Sequence, residues 1–184
     1  MSTYEQDIRR ALKAELGSGC LREIGPAEDI FDLLRKAYPL SGSKIDWRLV
    51  PGAVECTAGD GLKQISRFLR FFDEMCSRFE LSGPVIYVGD SATEFALAGS
   101  LETMRRVSSV LIEIPQHHYF VGPNASWCIC LTMENDLDFA TSDMPPFRAV
   151  HDFIESRGFR WRAACDSRCW LEWRPASDGP TSFQ

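Results

Sequence analysis

The stretch Ser126-Trp127-Cys128-Ile129-Cys130-Leu131-Thr132-Met133 decides how this chain folds. Read as a strand, it sends successive side chains to opposite faces, so Trp127, Ile129 and Leu131 line one face while Cys128 and Cys130 line the other. Both sets are apolar, which places the strand inside a sheet covered on both sides. Upstream, Gly122-Pro123-Asn124 has the composition of a tight turn, and His117 to Val121 supplies an antiparallel partner. Downstream, Glu134-Asn135-Asp136-Leu137-Asp138-Phe139 alternates acidic with apolar or amide residues. In extended structure Glu134, Asp136 and Asp138 share one face, with neighbours about 7 Å apart.

Periodicity sets the elements further out. Tyr4, Ile8, Leu12 and Leu16 recur every four residues before Gly17, and Pro26 opens a second amphipathic helix whose Ile30, Phe31, Leu33, Leu34 and Ala37 stop near Pro39. Ile45 to Val50 reads as a strand ended by Pro51-Gly52. Asp60 then caps a long helix, in which Leu62, Ile65, Leu69, Phe72, Cys76 and Phe79 form one uninterrupted apolar stripe. Val85 to Val88, bounded by turn residues, suits a buried strand. Ser91-Ala92-Thr93-Glu94 matches a capping box and predicts a following helix with Leu97, Leu101, Met104 and Leu111 inward and Glu102 paired with Arg106.

Past Pro145-Pro146, Phe147, Val150, Phe153 and Ile154 suggest a short helix ending at Gly158, and Phe159 to Arg174 reads as a closing hairpin. With Asp166-Ser167-Arg168 as its turn, Trp161 faces Trp173, Ala163 faces Leu171 and Arg162 faces Glu172. The expected architecture is α+β: a single domain over residues 1–174, mainly an antiparallel sheet with a C-terminal hairpin, packed against several amphipathic helices. A disordered tail, residues 175–184, rich in Ser, Pro and Gly, follows.

At 184 residues and 45% hydrophobic, the chain is long enough to bury one substantial core. It has neither a signal-peptide pattern nor an apolar run long enough to span a bilayer, so a cytoplasmic protein without membrane contact is expected. Seven scattered cysteines, an odd number, fit reduced thiols better than a disulfide framework. The formal charge of −6 lies entirely within residues 85–147, where eight carboxylates stand against Arg105 and Arg106, and no Lys or Arg occurs from Val107 to Phe147. Such a region argues against direct nucleic-acid binding, which needs clustered cations, and points to a basic partner.

Several residues invite a chemical reading. Val88-Gly89-Asp90-Ser91 resembles the nucleophile block of GDSL esterases, which implies attack by Ser91 on an acyl carbonyl; that chemistry needs a base, and the family's Asp-x-x-His element has no counterpart here. The capping box is the preferred account of Ser91. Adjacent His117 and His118 point to opposite faces of a strand, so one metal is not expected to take both, and a core role through ring hydrogen bonds suits one of them. Cys128-x-Cys130 and Cys165-x-x-x-Cys169 lack the spacing of zinc ribbons and read as buried thiols. Glu134, Asp136 and Asp138 offer hard oxygen ligands, but without a calcium-loop pattern they suit a docking surface for a partner's Arg and Lys better. No catalytic residue, metal or cofactor is therefore assigned. The alternative is a small hydrolase, either a Ser91 esterase or a carboxylate-metal enzyme.

Residues 83–140 resemble the core of bacterial immunity proteins that protect cells against polymorphic or contact-dependent growth inhibition toxins. The resemblance rests on His118-Tyr119-Phe120, Trp127-Cys128 and Glu134-Asn135-Asp136-Leu137-Asp138-Phe139; Ala140 stands where such sequences often carry Gly. It implies a small non-enzymatic antidote that blocks the surface of a cognate toxin domain, many of which are basic. The expected contact residues are Glu134, Asp136 and Asp138 first, with Asp90 and Glu94 second.

Overall fold

The computed structural model describes residues 3–42, 44–59 and 63–142, and the backbone of two further strands, 159–163 and 169–173. The fold is α+β, as expected. Its centre is the strand that opened the sequence reading: β8 (Trp127–Leu131) is buried at all five positions and lies between β7 (His118–Val121) and β9 (Asp136–Thr141), antiparallel to both. The sheet runs on from β7 through β5 (Pro84–Gly89) and β6 (Phe95–Ser100) to β1 (Leu21–Pro26). On the other side β9 pairs with β4 (Val54–Thr57), which is followed by β11 (Cys169–Trp173) and β10 (Phe159–Ala163). Of these neighbours, only β4 and β11 run parallel.

Each face of the sheet has its own core. On one, Phe120, Ile129, Leu131, Leu137 and Phe139 share a core with α1 (Thr3–Ala11), the short α2 (Lys13–Ser18) that follows it after a break at Leu12, α4 (Lys63–Arg78) and α5 (Leu101–Leu111). The Phe120 ring centroid lies 5.2 Å from that of Phe68 and 5.6 Å from that of Phe72, both on α4. On the opposite face Tyr119, Cys128, Cys130 and Ala140 are covered by α3 (Ala27–Ala37) and by Tyr38, Ile45, Trp47 and Val50 from the segment after it. The expected two-sided burial of Trp127 to Leu131 is thus how the strand sits.

Three expectations are corrected. Ser91 to Glu94 caps no helix: the segment is the turn joining β5 to β6, and α5 begins only at Leu101, where the Ser100 hydroxyl accepts from the Thr103 amide at 3.1 Å. Leu97 fits a helical stripe and a buried strand equally, because a short apolar run does not distinguish the two. Pairing with β1 and β5 decides for the strand, and Arg106 meets Glu15 at 3.9 Å instead of Glu102. Residues 45–50 form a two-residue bridge, β3 (Lys44–Ile45, paired with β2, Leu40–Ser41), and a 3₁₀ turn at Trp47–Leu49; the regular strand comes later, at β4.

The closing hairpin forms, but Trp161 pairs with Leu171, Phe159 with Trp173 and Arg160 with Glu172. This is a shift of two residues from the expected register. Side-chain direction repeats every two residues, so the shift leaves apolar positions opposite apolar ones. The expected cap Asp60, the helix at 147–158, the hairpin turn at 166–168 and the tail at 175–184 lie outside the described residues. Among the described residues no helix is long and apolar enough to cross a membrane.

Candidate functional site

The two neighbouring histidines have different surroundings. His118 is buried within a directed chain: the Gln116 Nε2 amide donates to the Tyr87 hydroxyl at 3.0 Å, that hydroxyl meets His118 Nδ1 at 3.0 Å, and His118 Nε2 meets the Ile114 carbonyl at 2.9 Å. A carbonyl only accepts, so the proton sits on Nε2 and the Tyr87 hydroxyl donates to Nδ1. Burial pushes the ring's pKa down to about 4 and keeps it neutral. Gln116 also closes the β5–β6 turn, its Oε1 accepting from the Ala92 amide at 2.8 Å. Gly89 makes this possible, because a Cβ there would collide with the Gln116 amide.

His117 faces the other way, between two carboxylates. Its Nδ1 lies 3.2 Å from Asp90 Oδ2 and its Nε2 3.1 Å from Glu134 Oε2, while its backbone N–H donates to Asp90 Oδ1 at 3.0 Å. Asp90 is therefore an interior anchor, its side chain 6% accessible. Burial raises its carboxyl pKa, but the bonds from His117 and Ser91 outweigh that and leave it below the usual value. Ser91 is thus bonded to Asp90, and the two described histidines have both ring nitrogens engaged elsewhere.

Glu134, Asp136 and Asp138 do not form an evenly exposed ridge. Asn135, in the left-handed region at φ 68°, turns the chain between β8 and β9. Glu134 on that turn is exposed and meets Lys44 Nζ at 3.5 Å. This corrects the expectation of an acid run without local counter-charge: the cation comes from a bridge far upstream in the chain. Glu134 is held below the usual carboxylate range, first by its own backbone amide, against some desolvation, with His117 and Lys44 adding to it. Asp136 is half-buried and raised, first by burial and then by Glu134.

Asp138 is buried, 2% exposed, which corrects its expected exposure. It lies on the same sheet face as the Cys128 and Cys130 thiols, opposite Cys130 on β8 and opposite Glu55 on β4. Burial, then Glu55, then Asp136 push its pKa well up. Glu94 is exposed on the β5–β6 turn, two strands away from β7, and joins none of these groups.

The carboxyls converge on a cleft of about 310 Å³ at the edge of the cover supplied by residues 38–50. Asp136, Asp138, Glu55 and Asp46 line it together with Lys44 and Arg48. Arg48 makes a two-point contact with Asp46, at 2.8 and 2.9 Å. Sequence reasoning missed Glu55, Asp46 and Lys44. The alternation Val54-Glu55-Cys56-Thr57 was the available signal for Glu55, hidden by ending the strand at Pro51-Gly52. Among the described residues, no three His, Cys, Asp or Glu side chains are grouped to hold a metal ion.

Comparison with protein-family models, with curated proteins and with solved structures finds no match to this chain.

Proposed function

We propose that this chain is a non-enzymatic immunity protein acting in the cytoplasm, which binds and neutralises a cognate, basic bacterial toxin domain through the acidic end of the sheet's second face. The observation that carries the reading is the cleft itself. The Asp136 and Asp138 carboxyls border it with no hydrogen bond or ion pair to a side chain among the described residues, whereas the cations at its rim are engaged by Glu134 and Asp46. Among the described residues, two of the four exposed large hydrophobic side chains, Leu49 and Met133, directly follow the cleft residues Arg48 and Thr132 in the chain. Exposed apolar residues adjoining in the chain a cleft lined by carboxyls suit a cationic protein surface, one set for anchoring and the other for charge complementarity. A standard interface, roughly 800 Å² on each partner, would cover the cleft and both flanks.

Growth protection tests this reading. The C-terminal domain of a large secreted protein encoded immediately upstream is induced with and without this chain. Restored growth and a complex stable to gel filtration are the expected result. Glu134→Lys/Asp136→Lys should weaken the complex and make its salt dependence shallower. The absence of such a neighbour, or growth arrest that this chain does not relieve, contradicts the reading.

A further inference from the structure

We propose that the cleft at Asp138 is a socket for one arginine side chain of the partner, its guanidinium set against the Asp136 and Asp138 carboxyls. The inference rests on the binding reading above and names the chemistry of its central contact.

The first reason is Asp138, a buried carboxyl that lines the cleft with no hydrogen bond from any described residue. Buried polar groups are normally bonded, and one that borders a cavity without a partner marks a place where a donor belongs. The second is the register, which sets Glu55 directly opposite Asp138 and places Asp136 two residues along the same face. Burial and the neighbouring acids disfavour the ionised Asp138 carboxyl in the free protein, and a cation set against Asp136 and Asp138 reverses the sign of their interaction.

Spacing selects the kind of cation. Asp136 and Asp138, two residues apart on a strand, stand about 7 Å apart, too far to close together on a small ion that needs oxygens at roughly 2.0–2.6 Å, and among the described residues no three His, Cys, Asp or Glu side chains are grouped to hold one. A guanidinium spreads five N–H donors over a plane and bonds carboxylates on more than one side. It also gives up its water more readily than an ammonium, which suits a half-enclosed site. The volume, about 310 Å³, is at the small end for ligand pockets, roughly 300–1,000 Å³, and fits one side chain. Binding would draw the proton from Asp138, so it should tighten as pH rises.

The test is an amide NMR titration of the intact chain with N-acetyl-arginine amide, with its citrulline and lysine counterparts, and with Mg²⁺ alone. The arginine probe should shift Glu55, Asp136 and Asp138 saturably and more tightly at higher pH, whereas citrulline should leave them unmoved. Asp138→Asn, which keeps the shape of the protonated acid, should weaken the probe by about tenfold or more. Asp136→Asn, at a half-buried position, should weaken it as well. Absence of saturable shifts, equal binding of the lysine probe, preferred binding of Mg²⁺ at these amides, or unchanged affinity in both variants overturns the socket. Because the probe needs no toxin, a failed titration beside successful growth protection condemns the socket alone. A successful titration without protection condemns the immunity reading and leaves the socket standing as an arginine site.

Discussion

The two faces of the sheet are built from the same strands and differ in how they are closed. Under α1, α4 and α5, successive strands contribute Phe120, Ile129, Leu137 and Phe139, and the aromatic rings of α4 interlock with them. On the opposite face the apolar cover runs from α3 through Trp47 and Val50, and beside it β9 and β4 carry Asp138, Asp136 and Glu55. Apolar burial holds the first face together, whereas the far end of the second keeps acids close to one another. The difference teaches that a strand can carry stability on one side and a binding surface on the other, because alternate residues answer to different surroundings.

The comparison is broken most severely on the closed face. Phe120→Ala removes a fully buried ring in contact with Phe68, Phe72 and Tyr87, and should cost about 3–5 kcal/mol in a denaturant titration. Acid should act next, through His118. Its folded pKa is lowered from 6.5 to about 4, so the unfolded chain binds the extra proton between those values. Stability from this group is complete at neutral pH and is lost as pH falls through that window, by roughly 3 kcal/mol at most. Denaturant midpoints from pH 7 to pH 4 should show that slope in the wild type and its loss in His118→Gln. Smaller again, Tyr87→Phe leaves His118 Nδ1 without its donor and should cost about 1–2 kcal/mol, read by the same titration.

The strands with a single possible period were legible in the sequence. Trp127 to Leu131 could be placed because five apolar residues between turn signals leave no polar face, and the α4 stripe because no residue interrupts it. Leu97 misled because it satisfies two periods, and only pairing with β1 and β5 separates them. The site was legible as charge and not as geometry. Glu134, Asp136 and Asp138 look equivalent in the sequence, yet the Asn135 turn, the Trp47 cover and the pairing with β4 make one exposed, one half-buried and one buried. Asp90 became an internal anchor through a histidine 27 residues away, and such a contact leaves no local pattern.

The most direct test of the claim that the second face holds acids at a cost is the stability difference between wild type and Asp138→Asn as a function of pH. The folded pKa of Asp138 is raised, so the native chain holds a proton that the unfolded chain gives up as pH passes the ordinary carboxylate value, and stability falls as pH rises from there through the folded pKa. Below that window the two proteins should differ little. At neutral pH the variant should be the more stable, by about 1 kcal/mol, with a shallower decline on the alkaline side. A difference that stays flat across pH, or a wild type that gains on the variant as pH rises, would contradict the account.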